Sequence, residues 1–189
     1  MNKSLTPRSF MLPLTEMSQA LPKRGLIYEI GCGGGVISNF ITQPKRRIIG
    51  IDTDATKISL AQKKYSTNKN LQFIASDAIT FPYSFCVGVI MSDFLHHIDY
   101  QSQEKLLKKV SLKIKRNGIL VIKEIDKSDG LLMWCSRIWD FLFYPKDTIY
   151  YRTKVQWYTL LQNLKFEVHF ERKIHWFPGS TFLFICTKK

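Results

Sequence analysis

A glycine cluster at residues 31–35 constrains the fold more than any other feature of the sequence. Residues 26–30 before it form the apolar run of a buried strand, and the apolar residues between Val36 and Ile41 after it recur at helical spacing. Glycines at such a junction let the chain turn tightly and bring backbone N–H groups close to a ligand at a helix N-terminus. The cluster therefore predicts a strand–turn–helix unit that favours a carboxylate or a phosphate.

Short apolar runs alternate with amphipathic stretches as far as residue 125. The runs that predict strands are 26–30, 47–51, 71–75, 85–91 and 119–123. Asp54 is the predicted N-cap of one intervening helix, and a second, lysine-rich helix is expected to stop at Asn117 and Gly118. The apolar stripe of that second helix is Leu106, Leu107, Val110 and Ile114. Strands that alternate with helices over short connections imply right-handed crossovers and a parallel sheet covered on both faces.

The pattern changes after residue 125. Residues 155–164 predict another helix, and residues 167–174 and 181–187 predict two strands joined through a Phe-Pro-Gly-Ser turn. The expected fold is α/β: a Rossmann-like, doubly wound, seven-stranded sheet, mostly parallel, with an antiparallel C-terminal hairpin. We expect one domain, divided into an N-terminal helical segment (1–24), a cofactor-binding core (25–125), and an acceptor-side insertion with the C-terminal hairpin (126–189).

An acidic residue ends the second predicted strand. Asp52 follows the glycine cluster by about 20 residues, where a carboxylate can accept hydrogen bonds from both hydroxyls of a ribose. The dinucleotide fingerprint GxGxxG would need a glycine at position 36, which is Val36, so a nicotinamide enzyme is disfavoured. The spacing is instead GxGxG, with an acid, Glu29, two residues ahead.

This first segment, Glu29-Ile30-Gly31-Cys32-Gly33-Gly34-Gly35, resembles the acid-x-Gly-x-Gly-x-Gly motif of the class I S-adenosylmethionine-dependent methyltransferases. The resemblance continues in order through residues 49–54, 75–78, 91–98 and 118–122. It departs from the family at Cys86, where an acid often follows the aromatic residue of the fourth strand.

The resemblance implies S-adenosylmethionine as the cofactor. Glu29 would balance the positive end of the cofactor, Asp52 would hold its ribose, and Asp77 would lie near the adenine amino group. The cofactor-binding residues that we expect are Glu29, Gly31, Cys32, Gly33, Gly35, Asp52, Thr53, Asp77, Ala78 and Ser92. For Asp77, an ordinary turn residue is the alternative interpretation. We expect no metal, because the cysteines form no CxxC pair.

Methyl transfer needs little beyond aligned reactants, so the family has no universal catalytic residue. His97 is the candidate general base because it follows the fourth strand at the carboxyl edge of the sheet, where α/β proteins bind ligands. The alternative is that His96 and His97 pack in the core or cap a helix.

The formal net charge of +13 favours an anionic partner without choosing one. Residues 92–95, Ser-Asp-Phe-Leu, lack the prolines that accompany amino methylation of nucleic-acid bases in this superfamily. The basic run at 105–116 is typical of a solvated helix face. The expected enzyme is therefore a methyltransferase for a small-molecule or lipid-like acceptor, acting by direct displacement. The alternative is a basic RNA-binding or RNA-modifying protein on the same fold.

Residues 131–151 form an aromatic-rich insertion after the fifth strand. Its aromatic and apolar residues include Trp134, Ile138, Phe141, Leu142 and Tyr151. They would cover an amphiphilic acceptor, touch an anionic membrane surface, or complete the core. The unpaired cysteines and the absence of an uninterrupted apolar stretch near the N-terminus favour a cytoplasmic location, with peripheral contact to the inner membrane surface as a further alternative.

Overall fold

A mixed β-sheet forms the centre of the molecule in the computed structural model, which describes residues 12–128, 130–143, 148–176 and 179–189. Within these residues the sheet has seven strands: β1 (Gly25–Ile30), β2 (Arg46–Asp52), β3 (Leu71–Ala75), β4 (Cys86–Ser92), β5 (Ile114–Ile125), β6 (Phe166–Trp176) and β7 (Gly179–Lys188). The helices that the described residues form are α1 (Leu14–Ala20), α2 (Val36–Ile41), α3 (Ala55–Lys64), α4 (Tyr100–Ser111), α5 (Gly130–Phe143) and α6 (Lys154–Asn163), with a 3-10 turn at Leu95–His97.

The strand order is β3-β2-β1-β4-β5-β7-β6, which confirms the predicted doubly wound fold. Neighbours from β3 to β5 are parallel, and β7 is antiparallel to both β5 and β6. The chain leaves β1 toward β2 on one side and returns to β4 on the other. Such a reversal opens a crevice at the carboxyl ends of the strands, where ligands bind.

The helices cover the two faces of the sheet with separate apolar clusters. On one face, Leu106 and Leu107 of α4 and Trp157 and Leu161 of α6 are buried against the strands. On the other face α1 and α2 bury Leu14, Met17, Ile37 and Ile41. Alternate residues of β1, β2, β4, β5 and β7 supply both clusters, and the first four of these strands are therefore nearly continuous apolar runs in the sequence.

The guanidinium of Arg46 fastens α1 to the sheet. It is buried at the start of β2 and donates to the carbonyls of Ser18, Leu21, Pro22 and Ile41 at 2.7–3.2 Å. These carbonyls lie at the ends of α1 and α2, where helices leave carbonyl groups without intrahelical partners. The predicted helical segment at 1–24 thus contains α1, while residues 1–11 lie outside the described residues, and the proposed division of the chain stays a prediction.

The expected end of the lysine-rich helix at Asn117 and Gly118 is wrong. Helix α4 ends at Ser111, and Ile114 is instead the first residue of β5, paired with Cys86. The next pair is Gly88 with Ile119, so the intervening residues of β5 form a bulge. Asn117 has φ 62°, and a Cβ on Gly118 would lie 2.8 Å from the Lys115 carbonyl. The Asn-Gly pair therefore lies in the bulge of β5 and does not end a helix.

Candidate functional site

The glycine loop between β1 and α2 is fastened to the end of β2. The amides of Gly31 and Cys32 donate to the Ile51 carbonyl at 2.8 and 3.1 Å, and the Gly35 amide donates to Cys32 at 2.9 Å. Gly31, Gly33 and Gly35 have φ of 74°, 49° and 72°, a region that residues with a side chain rarely adopt. The loop is thus a fixed turn at the crevice of the sheet.

Packing explains why residues 31 and 35 are glycine, but it does not explain the glycines at 33 and 34. A Cβ on Gly31 would lie 2.5 Å from the Phe94 ring, and one on Gly35 would lie 2.5 Å from the Phe73 ring. A Cβ on Gly33 would meet only Lys57 Cδ, at 4.0 Å, and one on Gly34 would meet no atom within 4 Å. The outer side of the loop, at Gly33 and Gly34, therefore has space in which a ligand can approach the backbone.

Asp52 lies at the rim of this open space. Its Oδ2 accepts a 2.7 Å hydrogen bond from the Gly33 amide, and its Oδ1 accepts one of 2.9 Å from the Asp54 amide. A carboxylate has about four lone-pair sites, so both oxygens keep acceptor capacity. The structure thus presents an oriented acid beside the glycine loop, and the ribose contact of Asp52 stays a prediction.

Glu29 lies beneath the loop, not on its open side. Only 2% of its surface is exposed, and Oε2 accepts hydrogen bonds from the amide (2.7 Å) and the hydroxyl of Ser38 in α2. These bonds hold α2 against β1 and so fix the loop between them. The predicted role of Glu29 at the positive end of the cofactor stays a prediction.

Cys32 is a buried thiol in the loop. Its pKa is raised well above the usual range, mainly by burial and further by the negative charges of Glu29 and Asp52. A neutral buried thiol is a weak nucleophile, so the side chain of Cys32 fills space against Gly50 and α3.

The residues after β2 and β3 lie at the same edge of the sheet. The Ser76 amide donates to the Asp52 carbonyl at 2.9 Å, which brings the segment before Asp77 next to Asp52. Asp77 is exposed and accepts a 2.6 Å bond from the Ile79 amide, which also makes it a turn residue. Ala78 is buried and Thr53 is exposed. Both interpretations of Asp77 are compatible with this geometry.

The segment after β4 packs on the glycine loop through Phe94 and is held from both sides by β5. On one side the buried Lys123 Nζ lies 2.5 Å from Asp93 Oδ1, and Ser92 donates to Asp93 at 3.3 Å. Asp93 has φ 51°, so the chain turns sharply there. Ser92 itself is buried at the end of β4.

On the opposite side, the buried carboxylate of Glu124 holds three groups. It accepts from the Phe94 and Leu95 amides at 3.0 and 2.7 Å and lies 2.6 Å from His96 Nδ1. His96 is buried, so the packing alternative describes this histidine. His97 is partly exposed, with its ring centroid 4.3 Å from that of His96, and it stays the candidate base.

Sequence reasoning missed four residues that shape this site: Ser38, Phe94, Lys123 and Glu124. A signal existed for the last two. They are charged residues that continue the apolar run of β5, and charge at the carboxyl end of a buried strand points toward a ligand-binding edge. For Ser38 and Phe94 the sequence carries no such signal, because their partners are distant in the chain.

The sheet order, the crevice at β1 and β4, and the glycine loop beside an acid define a Rossmann-like α/β protein. The particular family follows from comparison with known proteins. The family model described as "Methyltransferase domain" matches residues 28–122, and the chain belongs to this family. The cofactor of the family is S-adenosylmethionine, as the sequence predicts.

Relatives and solved structures agree with this membership. Carboxy-S-adenosyl-L-methionine synthase of Helicobacter pylori is 25% identical over 120 residues, which cover 62% of this chain and 50% of the relative. The chain thus spans about half the length of the curated relatives it matches. A methyltransferase structure from Methanosarcina mazei superposes with a TM-score of 0.75 at 20% identity, covering 94% of this chain and 97% of its own.

The structure of magnesium protoporphyrin IX methyltransferase from Synechocystis with bound S-adenosylmethionine has a TM-score of 0.72 at 14% identity, covering 96% of this chain and 77% of its own. At these identities the superpositions show the shared fold. Among the residues that the structure describes, no cluster of His, Cys, Asp and Glu could hold a metal ion. Over the same residues, no helix has the length and apolar character needed to cross a bilayer.

Proposed function

We propose that this protein transfers a methyl group from S-adenosylmethionine to a small-molecule or lipid-like acceptor by direct displacement. One observation carries the proposal: the open outer side of Gly33 and Gly34 lies next to the oriented carboxylate of Asp52. A glycine loop with space above it and an acid at its rim suits a ligand that combines a carboxylate with a ribose.

Each part of the site would contact a different part of the cofactor. The loop at 31–35 would receive the methionine end of the cofactor, Asp52 the ribose, and Asp77 with Ala78 the adenine. The cofactor supplies an electrophilic methyl group on a sulfonium. The chain aligns the acceptor with that group, and alignment alone accounts for much of the rate in such reactions. Where the acceptor is a hydroxyl or an amine, His97 would take its proton.

The choice of a small acceptor rests on the relatives. Carboxy-S-adenosyl-L-methionine synthase and magnesium protoporphyrin IX methyltransferase are named for small molecules. The basic run at 105–116 gives little support to the RNA alternative, because some of its side chains already have partners. Lys109 Nζ donates to the Ile79 carbonyl at 2.7 Å, and Lys113 Nζ lies 5.2 Å from the centroid of the Phe85 ring.

Calorimetric titration with S-adenosylhomocysteine tests the proposal, with NAD as a parallel titrant. We expect the wild type to bind S-adenosylhomocysteine and not NAD. Asp52→Ala should weaken binding roughly 10- to 100-fold, since a hydrogen bond to a charged group contributes about 1.5–3 kcal/mol. Asp54→Ala is the matched control, because the carboxylate of this acid accepts from the Thr56 and Lys57 amides and so caps α3. Equal affinities of the wild type and Asp52→Ala would overturn the assignment of Asp52.

A screen of acceptors tests the transfer itself. Once an acceptor is found, His97→Ala should lower turnover far more than cofactor affinity. Equal turnover of the wild type and this variant would remove His97 as the base. An electrophoretic shift with RNA and no binding of S-adenosylhomocysteine would replace the proposal by its nucleic-acid alternative.

A further inference from the structure

Four large apolar side chains of helix α5 face solvent. Trp134, Ile138, Phe141 and Leu142 are 56%, 58%, 67% and 67% exposed, whereas Ser136 of the same helix is only 4% exposed. At 100° per residue these four large side chains occupy one face, and Ser136 lies on the opposite face. We call the four residues the α5 face. The sequence interpretation in which they complete the core is wrong for these four side chains.

Helix α4 shows the usual arrangement of an amphipathic helix. Helix α4 buries Leu106, Leu107 and Val110 and exposes Lys105 and Lys108. Leu60 and Leu112 are also exposed but lie on separate elements, and α6 exposes two such residues, Val155 and Tyr158. A contiguous apolar face on one helix is the kind of surface that marks a contact with a protein or a membrane.

Charge indicates which contact this is. The Arg137 guanidinium lies 5.6 Å from the centroid of the Trp134 ring, at the border of the α5 face, and Lys127 is exposed just before the helix. A tryptophan with an arginine beside it suits the headgroup layer, where the ring is partly buried and the cation meets lipid phosphate. The whole chain carries +13, which attracts it to an anionic surface before any local contact forms.

The length of α5 restricts it to the surface of a bilayer. Its 14 residues span about 21 Å, short of the roughly 30 Å of a hydrocarbon core. A helix that is too short to cross and apolar on one face lies in the plane of the interface.

The position of α5 places the contact at the carboxyl edge of the sheet. The helix follows Ile125, the last residue of β5, and packs against β7, whose Thr181 pairs with Ile125. This is the carboxyl edge of the sheet, the same edge that carries the glycine loop and Asp52. A contact through α5 therefore brings this edge close to the lipid headgroups.

We propose that the α5 face docks on an anionic lipid bilayer. This goes beyond the proposed methyl transfer, because the docking uses none of the cofactor residues and is measured without cofactor or acceptor. Failure of one proposal therefore leaves the other standing.

Vesicle co-sedimentation of the full chain tests the docking, with vesicles of phosphatidylcholine alone and of phosphatidylcholine mixed with phosphatidylserine. We expect binding to the mixed vesicles that weakens as salt is raised. The double variant Phe141→Ser/Leu142→Ser should bind about tenfold more weakly or worse, and Arg137→Ala should reduce the preference for phosphatidylserine. Leu60→Ser/Leu112→Ser is the matched control and should bind as the wild type does.

Three results would overturn the proposal. The first is absence of binding to the mixed vesicles. The second is equal binding by the α5 double variant and its control, which would assign the attraction to general charge. The third is a dimer in sedimentation velocity that dissociates only in the α5 double variant, which would assign the face to a second copy of this chain. Thermal melts of both double variants verify that each is folded.

Discussion

The Gly33 amide donates a 2.7 Å hydrogen bond to Asp52 Oδ2, so the turn of the glycine loop and the orientation of the acid depend on each other. The two residues belong to different strand–helix units, β1–α2 and β2–α3. A ligand that contacts the loop and the acid therefore meets both in one fixed arrangement. Preorganisation of this kind reduces the free-energy cost of binding.

Gly34→Ala should separate ligand binding from stability. The position has no left-handed φ, and an added Cβ meets no protein atom within 4 Å. Alanine at such a glycine should raise the free energy of unfolding by about 0.5 kcal/mol. The same methyl group would occupy the space that we assign to the cofactor and should weaken S-adenosylhomocysteine binding. Urea unfolding and calorimetry measure the two effects. Unchanged affinity would place the cofactor away from Gly34.

Gly31→Ala should lower stability because its Cβ would lie 2.5 Å from the Phe94 ring in a residue with φ 74°. We expect a loss of roughly 2–4 kcal/mol in the free energy of unfolding, from backbone strain and overpacking. Phe94→Ala in the same chain should recover part of that loss, since the ring is what the methyl group meets. A double-mutant cycle by urea unfolding measures the coupling. Strictly additive effects would contradict the predicted contact.

Glu124→Gln should change the tautomer of His96. The carboxylate accepts from two amides and lies 2.6 Å from His96 Nδ1. An amide side chain keeps one acceptor for the backbone and presents an NH₂ group to the ring, so Nδ1 must then accept. We expect a stability loss of about 1–3 kcal/mol. Nitrogen-15 NMR of the imidazole reports the tautomer, and an unchanged His96 spectrum would refute the assignment.

The four cysteines should differ in reactivity. Cys32, Cys86 and Cys186 are buried, and burial raises the pKa of Cys86 to about 11 and that of Cys186 to about 12. Cys135 is partly exposed. Near pH 8 a disulfide reagent should therefore modify one thiol in the native protein, and Cys135→Ser should abolish this reaction. Rapid modification of any remaining thiol in Cys135→Ser would contradict the burial of the other three cysteines.

The buried thiols of Cys86 and Cys186 make the free energy of unfolding depend on pH. Their folded pKa values lie above the ordinary value of 9.0, so the native state holds these protons more tightly than the unfolded state does. The stabilisation is complete below pH 9 and decreases as the pH rises toward 11 and 12. The urea midpoint of the wild type should fall as the pH rises through this window. In Cys86→Ala, the midpoint should fall less steeply when it is expressed relative to that variant's midpoint at neutral pH.

The sequence predicts the parts of this protein that repeat a local pattern. The strand runs follow from periodicity, the glycine loop from the requirements of a tight turn, and the position of Asp52 from the end of the second strand. The end of α4 was mispredicted because Ile114 fits the helical stripe of Leu106 and Val110 equally well as the first position of a strand. Only the pairing of Ile114 with Cys86 decides between the two, and that pairing joins distant parts of the chain.

Ser38 and Phe94 lay beyond sequence reasoning for the same reason. The family resemblance predicts a cofactor role for Glu29, and this stays a prediction; the hydrogen bonds between Glu29 and Ser38 depend on how α2 packs on β1. The exposure of the α5 face was equally undetermined. Apolar residues at helical spacing specify that a helix has an apolar face, and the surrounding fold determines which way that face points.

The end of β5 also bears on how the length of this chain can change. Lys123 and Glu124 are adjacent, so the alternation of a strand sends one to each side of the segment after β4. Inserting or deleting one residue between Ile119 and Lys123 would exchange the two sides and bring the lysine toward His96. The bulge at 115–118 has no such alternation to preserve. Homologous chains can therefore vary in length at the bulge, while the seven residues from Ile119 to Ile125 form a segment of fixed length.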